Sequence, residues 1–100
     1  MKYKLIVEDT ADFEVSKAYA YYEDLQTNLG ERFLNRWEEQ IKLIEKNPLL
    51  YSIKYKQFRQ VLLRPFPYHI IYEIEGNLVV VYRVVYAGKH PRKRYKKKIK

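Results

Sequence analysis

No cysteine occurs in these 100 residues, so a disulfide framework, a thiolate nucleophile and a Cys-ligated metal site are all excluded. Glycine is almost as scarce: three in the whole chain leave no Gly-rich loop to cradle a phosphate. No unbroken apolar run is longer than Leu78–Tyr82, far short of the roughly 18 residues that would span a bilayer. No membrane segment is expected. Met1 and Lys2 are followed by no long apolar stretch of the signal-peptide kind, which sets the expectation of a cytoplasmic protein. The two histidines stand 21 positions apart and the acids fall mostly in helical segments, so no metal site and no cofactor are expected. What is present in quantity is apolar surface, 47% of residues with 16% aromatic, enough for one core in a single domain spanning 1–100.

Acid is also missing from one end of the chain. Residues 1–50 hold seven Lys/Arg against ten Asp/Glu, whereas residues 51–100 hold thirteen against two. The halves therefore carry −3 and +11. No acid follows Glu75, and eight of the twelve residues from Lys89 to Lys100 are Lys or Arg. Such density attracts polyanions through counterion release, making nucleic acid the first partner to consider, with a solvated basic tail from about residue 89 as the plainer reading.

Tyr3, Leu5 and Val7 alternate with Lys2, Lys4 and Glu8, the period of two of a strand with one buried face. Asp9 and Thr10 then offer N-cap oxygens, with Asp12 and Glu14 in the first turn to complement the helix dipole. Ala11, Val15, Ala18, Tyr22, Leu25 and Leu29 step by four and three along one helix face to about Asn28. Phe33, Trp37, Ile41 and Ile44 repeat the spacing from Gly30 to Lys46, where Asn47-Pro48 ends the second helix. So short a link makes the two helices an antiparallel hairpin. From Tyr51 the period returns to two, through Arg59–Arg64, Tyr68–Glu75 and Leu78–Ala87, with Glu75-Gly76-Asn77 as a hairpin turn. The order β-α-α-β-β-β predicts an α+β fold. In it the N-terminal strand joins a three-stranded antiparallel sheet, and the helical hairpin covers one face and leaves the other open.

The residues that could carry chemistry are basic or hydrogen-bonding and lie on or just after the strands: His69, His90, Arg59, Arg64, Arg83, Lys89, Arg92, Arg94 and Tyr95. Cutting a phosphodiester without metal needs a base for the 2′-hydroxyl, an acid for the leaving oxygen and cations at the phosphate, roles that His and Arg fill. Alternation sets His69 opposite Tyr68, Ile70, Tyr72 and Ile74, either in a functional position on the open face or as an ordinary strand histidine paired with Glu73. His90 follows the last strand in a loop of cations, as a proton-transfer group or a plain surface histidine. Arg83 interrupts a run of valines and either snorkels from the sheet edge or projects from the open face.

The segments Ala18-Tyr19-Ala20-Tyr21-Tyr22-Glu23, Leu29-Gly30-Glu31-Arg32-Phe33, Ile44-Glu45-Lys46-Asn47-Pro48 and Arg64-Pro65-Phe66-Pro67-Tyr68-His69-Ile70-Ile71-Tyr72 resemble the RelE/ParE toxin superfamily over about residues 3–95. The resemblance implies a toxin of a type II toxin–antitoxin pair, neutralised by a small acidic antitoxin that wraps it. It implies one of two activities: a metal-independent, ribosome-dependent mRNA endonuclease similar to RelE, the leading expectation, or an inhibitor of DNA gyrase similar to ParE. A member that only binds antitoxin or nucleic acid is a third reading. Aligned on Tyr68 and Tyr72, His69 stands where RelE-like nucleases place a strand arginine, and His90 where they place a catalytic arginine or, in the YafQ-like branch, a histidine. Gln60 and Leu62 stand where RelE carries lysines.

Overall fold

The structure, a computed structural model, describes residues 2–87. Strand β1 (Lys4–Val7) enters helix α1 (Asp9–Leu25) through Glu8 alone. Glu8 takes an extended N-cap backbone with no side-chain cap, so the helix starts one residue earlier than an Asp9 cap, and two earlier than a Thr10 cap, would have set it. Asp9 and Asp12 lie in the first turn, where the positive helix end favours carboxylates. Asn28, at a left-handed φ of 74°, turns the chain into α2 (Leu29–Lys46).

The start of α2 is capped from the neighbouring helix. The Glu23 carboxylate accepts the backbone N–H groups of Asn28 at 3.0 Å and Gly30 at 2.9 Å, two donors that the helix itself leaves unpaired. Gly30 is needed for closeness: a Cβ there would lie 2.7 Å from the Tyr19 carbonyl oxygen and 2.8 Å from the Tyr19 ring.

Asn47-Pro48 ends α2, and a 3₁₀ turn (Pro48–Leu50) leads into β2 (Ile53–Tyr55), β3 (Phe58–Leu62), β4 (Tyr68–Glu75) and β5 (Leu78–Tyr86). The link from β4 to β5 is Gly76-Asn77, with Gly76 at φ +64°, where a side chain would be strained. The five strands form one sheet in the order β1-β5-β4-β3-β2. β1 pairs β5 in parallel, from Lys4 with Leu78 to Val7 with Val81, while the other pairings are antiparallel.

The sequence expectation of three antiparallel strands plus one is therefore corrected on two counts, and the two corrections have one cause. β2 is three residues long, exposed throughout and irregular in register against β3, so it carries no alternating pattern. Each connection in this chain reverses direction. Adding β2 adds one reversal, which turns β5 to run the same way as β1.

The core lies between the helices and the sheet. Ala11, Val15 and Ala18 of α1 and Phe33 and Ile44 of α2 meet Ile70, Tyr72, Val79, Val81 and Val84. Tyr22, Phe33, Phe66 and Tyr68 form an aromatic knot between the layers, with Tyr22 stacked on Phe33 at 5.6 Å and edge-on to Phe66 at 5.0 Å. Tyr72 is fully buried, and its hydroxyl donates to the Pro48 carbonyl at 2.6 Å, tying the turn after α2 to the central strand.

Gly30→Ala should destabilise the fold by about 1–3 kcal/mol through overpacking against backbone, outweighing a helix-propensity gain of about 1 kcal/mol. A melting temperature lower by several degrees in circular dichroism is the expected result. An unchanged or higher one would show that Tyr19 moves aside.

Candidate functional site

The sheet face turned away from the helices is built on alternate residues of β4. His69, Ile71 and Glu73 lie there because Tyr68, Ile70, Tyr72 and Ile74 belong to the helix-side core. Phe58, Ile71 and Val85 are buried together on this face with Tyr82 packed against them. Tyr82 reaches it through a β-bulge: Ile71 pairs with Arg83 and Tyr72 with Val81, which leaves Tyr82 as the extra residue. Its ring meets Phe58 edge-on at 5.5 Å, and its hydroxyl donates to the Glu73 carboxylate at 2.9 Å.

Glu73 is buried, so that hydrogen bond compensates for lost hydration. Burial, and then the Glu73 carboxylate, push the Tyr82 hydroxyl up to about 12. Glu75 lies above the ordinary carboxylate range because Glu73 shares a hydrogen bond with it and repels its charge. This end of the open face is acidic and apolar, not basic.

The residues singled out from the sequence separate in space. His69 is half-buried, in register between Leu62 of β3 and Val85 of β5. Arg59 is in register with Tyr72, and its guanidinium donates to the Tyr51 carbonyl at 2.6 Å. The Tyr51 hydroxyl accepts from the amide of buried Gln40 at 3.0 Å, and Gln40 accepts from Arg36 at 2.9 Å. Arg59 thus closes a polar chain that fastens β3 to α2. Arg64 lies past the end of β3, is exposed, and offers its carbonyl to the Arg36 guanidinium. Lys89, His90, Arg92, Arg94 and Tyr95 lie outside the described residues.

Arg83 reaches around the sheet edge to α1. Its guanidinium meets the Glu14 carboxylate at 2.6 and 2.8 Å, and the other Glu14 oxygen accepts the Val84 backbone N–H at 2.7 Å. Both side chains are mostly covered, with relative exposures of 14% and 19%. β1 pairs β5 only as far as Val81, where Glu8 donates to the Val81 carbonyl. Beyond that point Glu14 takes the place of a neighbouring strand.

Sequence reasoning read Glu14 as a helix-dipole residue and so missed this contact. The usable signal was Arg83 itself, a charge among valines that needs an acid. The Glu73–Tyr82 pair was missed because the bulge shifts Tyr82 off the simple alternation. A third feature is an outward stripe on α1: Phe13, Tyr21 and Leu25 are exposed at spacings of eight and four, with Lys17 midway between the first two and its ammonium 5.5 Å from the centre of the Phe13 ring. Among the described residues, no group of three His, Cys, Asp or Glu could hold a metal ion, and no helix is long and apolar enough to cross a membrane.

Two solved structures share this arrangement of helices and sheet. A chain of the chromosomal ParDE TA system from P. aeruginosa is similar with a TM-score of 0.70 at 16% identity, covering 84% of this chain and 95% of that one. A mutant of E. coli toxin RelE in the free state is similar with a TM-score of 0.58 at 15% identity, covering 99% of this chain and 96% of that one. The fold is thus the one shared by ParDE and RelE structures. In sequence, Toxin ParE2 of Mycobacterium tuberculosis is 24% identical over 92 residues, 91% of this chain and 88% of that protein. Residues 5–91 match the family of the ParE toxin of type II toxin-antitoxin system, parDE, and the chain belongs to that family.

Two measurements test the contacts described. Glu14→Ala strands a covered guanidinium and an edge N–H, and should cost about 2–4 kcal/mol in denaturant unfolding. Glu14→Gln, which keeps an acceptor for Val84, should cost less. Equal stability of Glu14→Ala and the parent would show the clamp to be inert. The tyrosines set an alkaline limit: Tyr22, through burial and then Tyr68, is also pushed up to about 12. Unfolded tyrosines ionise near pH 10. The stabilisation from keeping these hydroxyls protonated is therefore complete below about pH 10 and is lost as pH rises through about 12. Stability that stays level to pH 12 would contradict this linkage.

Proposed function

We propose that this type II toxin acts by binding and disabling a protein, DNA gyrase, rather than by cleaving mRNA. The observation that carries the reading is the use made of Arg59 and Arg83. Both are strand arginines suited to a scissile phosphate, and both donate into the protein itself, to Tyr51 and to Glu14. His69 shares its face with Ile71 and buried Glu73, and a buried carboxylate opposes the approach of a phosphate.

Two further points support it. The family match is to ParE, and α1 presents Phe13, Tyr21 and Leu25 outward, a stripe of the kind that binds protein. A small acidic antitoxin, the partner proposed for this toxin, would complement the +11 of residues 51–100. Lys89, Arg92, Arg94 and Tyr95 remain the candidates for contact with nucleic acid or with the gyrase–DNA complex, and His90 belongs to the mRNA-cleaving alternative.

The test is a purified gyrase supercoiling assay run beside primer extension on ribosome-bound mRNA. Supercoiling should be inhibited, the combined Phe13→Ala, Tyr21→Ala substitution should weaken inhibition at least tenfold without lowering the melting temperature, and His69→Ala with His90→Ala should leave it nearly intact. Discrete mRNA cleavage that falls about a hundredfold in His90→Ala, the scale of general acid–base loss, with no effect on gyrase, would replace this reading with the RelE-like one.

A further inference from the structure

The two edges of the sheet differ. At one, β2 is three residues long, irregular in register, and carries Lys54 at its centre with Lys56 just after it, the devices that keep an edge from pairing with another strand. At the other, β1 has a regular register, no proline and no bulge, and among the described residues no strand lies beyond it.

Its backbone is set up for pairing. Lys4 donates to the Asn77 carbonyl and Glu8 to the Val81 carbonyl, so the even residues face β5. By alternation, the N–H and C=O groups of Leu5 and Val7 point to the outer edge. Leu5 and Val7 place their side chains toward the helix-side core, while Lys4, Ile6 and Glu8 alternate with them on the opposite face and are all exposed, Ile6 at 41%. Glu8 makes no cap hydrogen bond with its carboxylate, although it holds the N-cap position of α1.

We propose that β1 pairs antiparallel with β1 of a second copy about a two-fold axis at Ile6, making one sheet across the dimer. The register follows from backbone and charge together. Only odd residues carry outward hydrogen-bonding groups, so Leu5 must lie opposite an odd residue. Centring on Ile6 sets Leu5 against the second copy's Val7, and Val7 against its Leu5, giving four backbone hydrogen bonds. The same centring sets Ile6 against Ile6, covering the exposed apolar side chain, and Lys4 against the second copy's Glu8 on both sides of the axis. These side chains fall at non-hydrogen-bonded pairs, where cross-strand neighbours are closest. Lys4-Leu5-Ile6-Val7-Glu8 is thus complementary to itself when reversed: cation, apolar centre, anion. Centring on Val7 would require Asp9, already in α1, to act as strand. The shared edge is short beside a standard interface of about 1,600 Å², so the dimer forms at micromolar or higher concentration and weakens with salt.

Sedimentation equilibrium of the full chain, without antitoxin, over a range from micromolar to millimolar tests this. The mass should rise from 12.3 kDa toward twice that value, and amide exchange at Leu5 and Val7 should slow as concentration rises. Ile6→Lys should remain monomeric. Lys4→Glu and Glu8→Lys should each weaken association at least tenfold, and the double reversal should restore it to within about threefold. A monomer at every concentration, or concentration-independent exchange at Leu5 and Val7, overturns the proposal whether or not any variant folds. So does a double reversal that, melting like the parent, fails to restore pairing. If the chain stays monomeric while Ile6→Lys loses antitoxin, the edge receives an antitoxin strand and the self-pairing inference falls.

Discussion

A nine-residue strand beside a four-residue one leaves an edge that something must satisfy, and in this molecule the Glu14 carboxylate does so. One oxygen takes the Val84 N–H and the other takes Arg83, so a single side chain continues the ladder where β1 stops and binds the helical layer to the sheet. The bulge at Tyr82 belongs to the same arrangement. It lies just before the clamp, brings Arg83 to the edge, and leaves Tyr82 over Glu73 on the opposite face. Burial makes each contact consequential: an unpaired charge or N–H at these positions would have little water to replace the lost partner.

The chemical character of the open face follows from that geometry. Arginine is placed on β3 and β5, yet the fold directs both guanidinium groups to oxygen atoms of the protein. What remains beside Ile71 is a histidine, a buried glutamate and aromatic carbon. A scaffold common to ParDE and RelE structures therefore need not carry a common chemistry, because the same strands can present cations outward or fold them in.

Local regularities were legible in the sequence. The four-three spacing of Ala11, Val15, Ala18 and Tyr22, the stop at Asn47-Pro48 and the turn at Gly76 all match the structure because each depends on neighbours a few residues away. Leu25, read as part of the buried stripe, is exposed at the last position of α1, where the helical spacing it was read from stops. β2 was invisible for want of length, and with it went the sense of β5 relative to β1. The candidate site was less legible still. Arg59 and Arg83 could be recognised as charges needing partners, but Tyr51 lies across a hairpin edge and Glu14 is 69 positions from Arg83, distances over which no spacing rule applies.

The parallel pairing of β1 with β5 joins segments about 70 residues apart, the kind of contact that forms late because a long loop must close first. On a ribosome, β1 emerges first and waits while both helices and three strands are made. Val79 and Val81, which form the floor under α1, arrive nearly last. The sheet stays incomplete until β5 clears the exit tunnel, and so does any surface that needs the Glu14 clamp. The layers therefore close only once β5 has been made, because β1 and the Glu14 carboxylate both find their partners on that one strand.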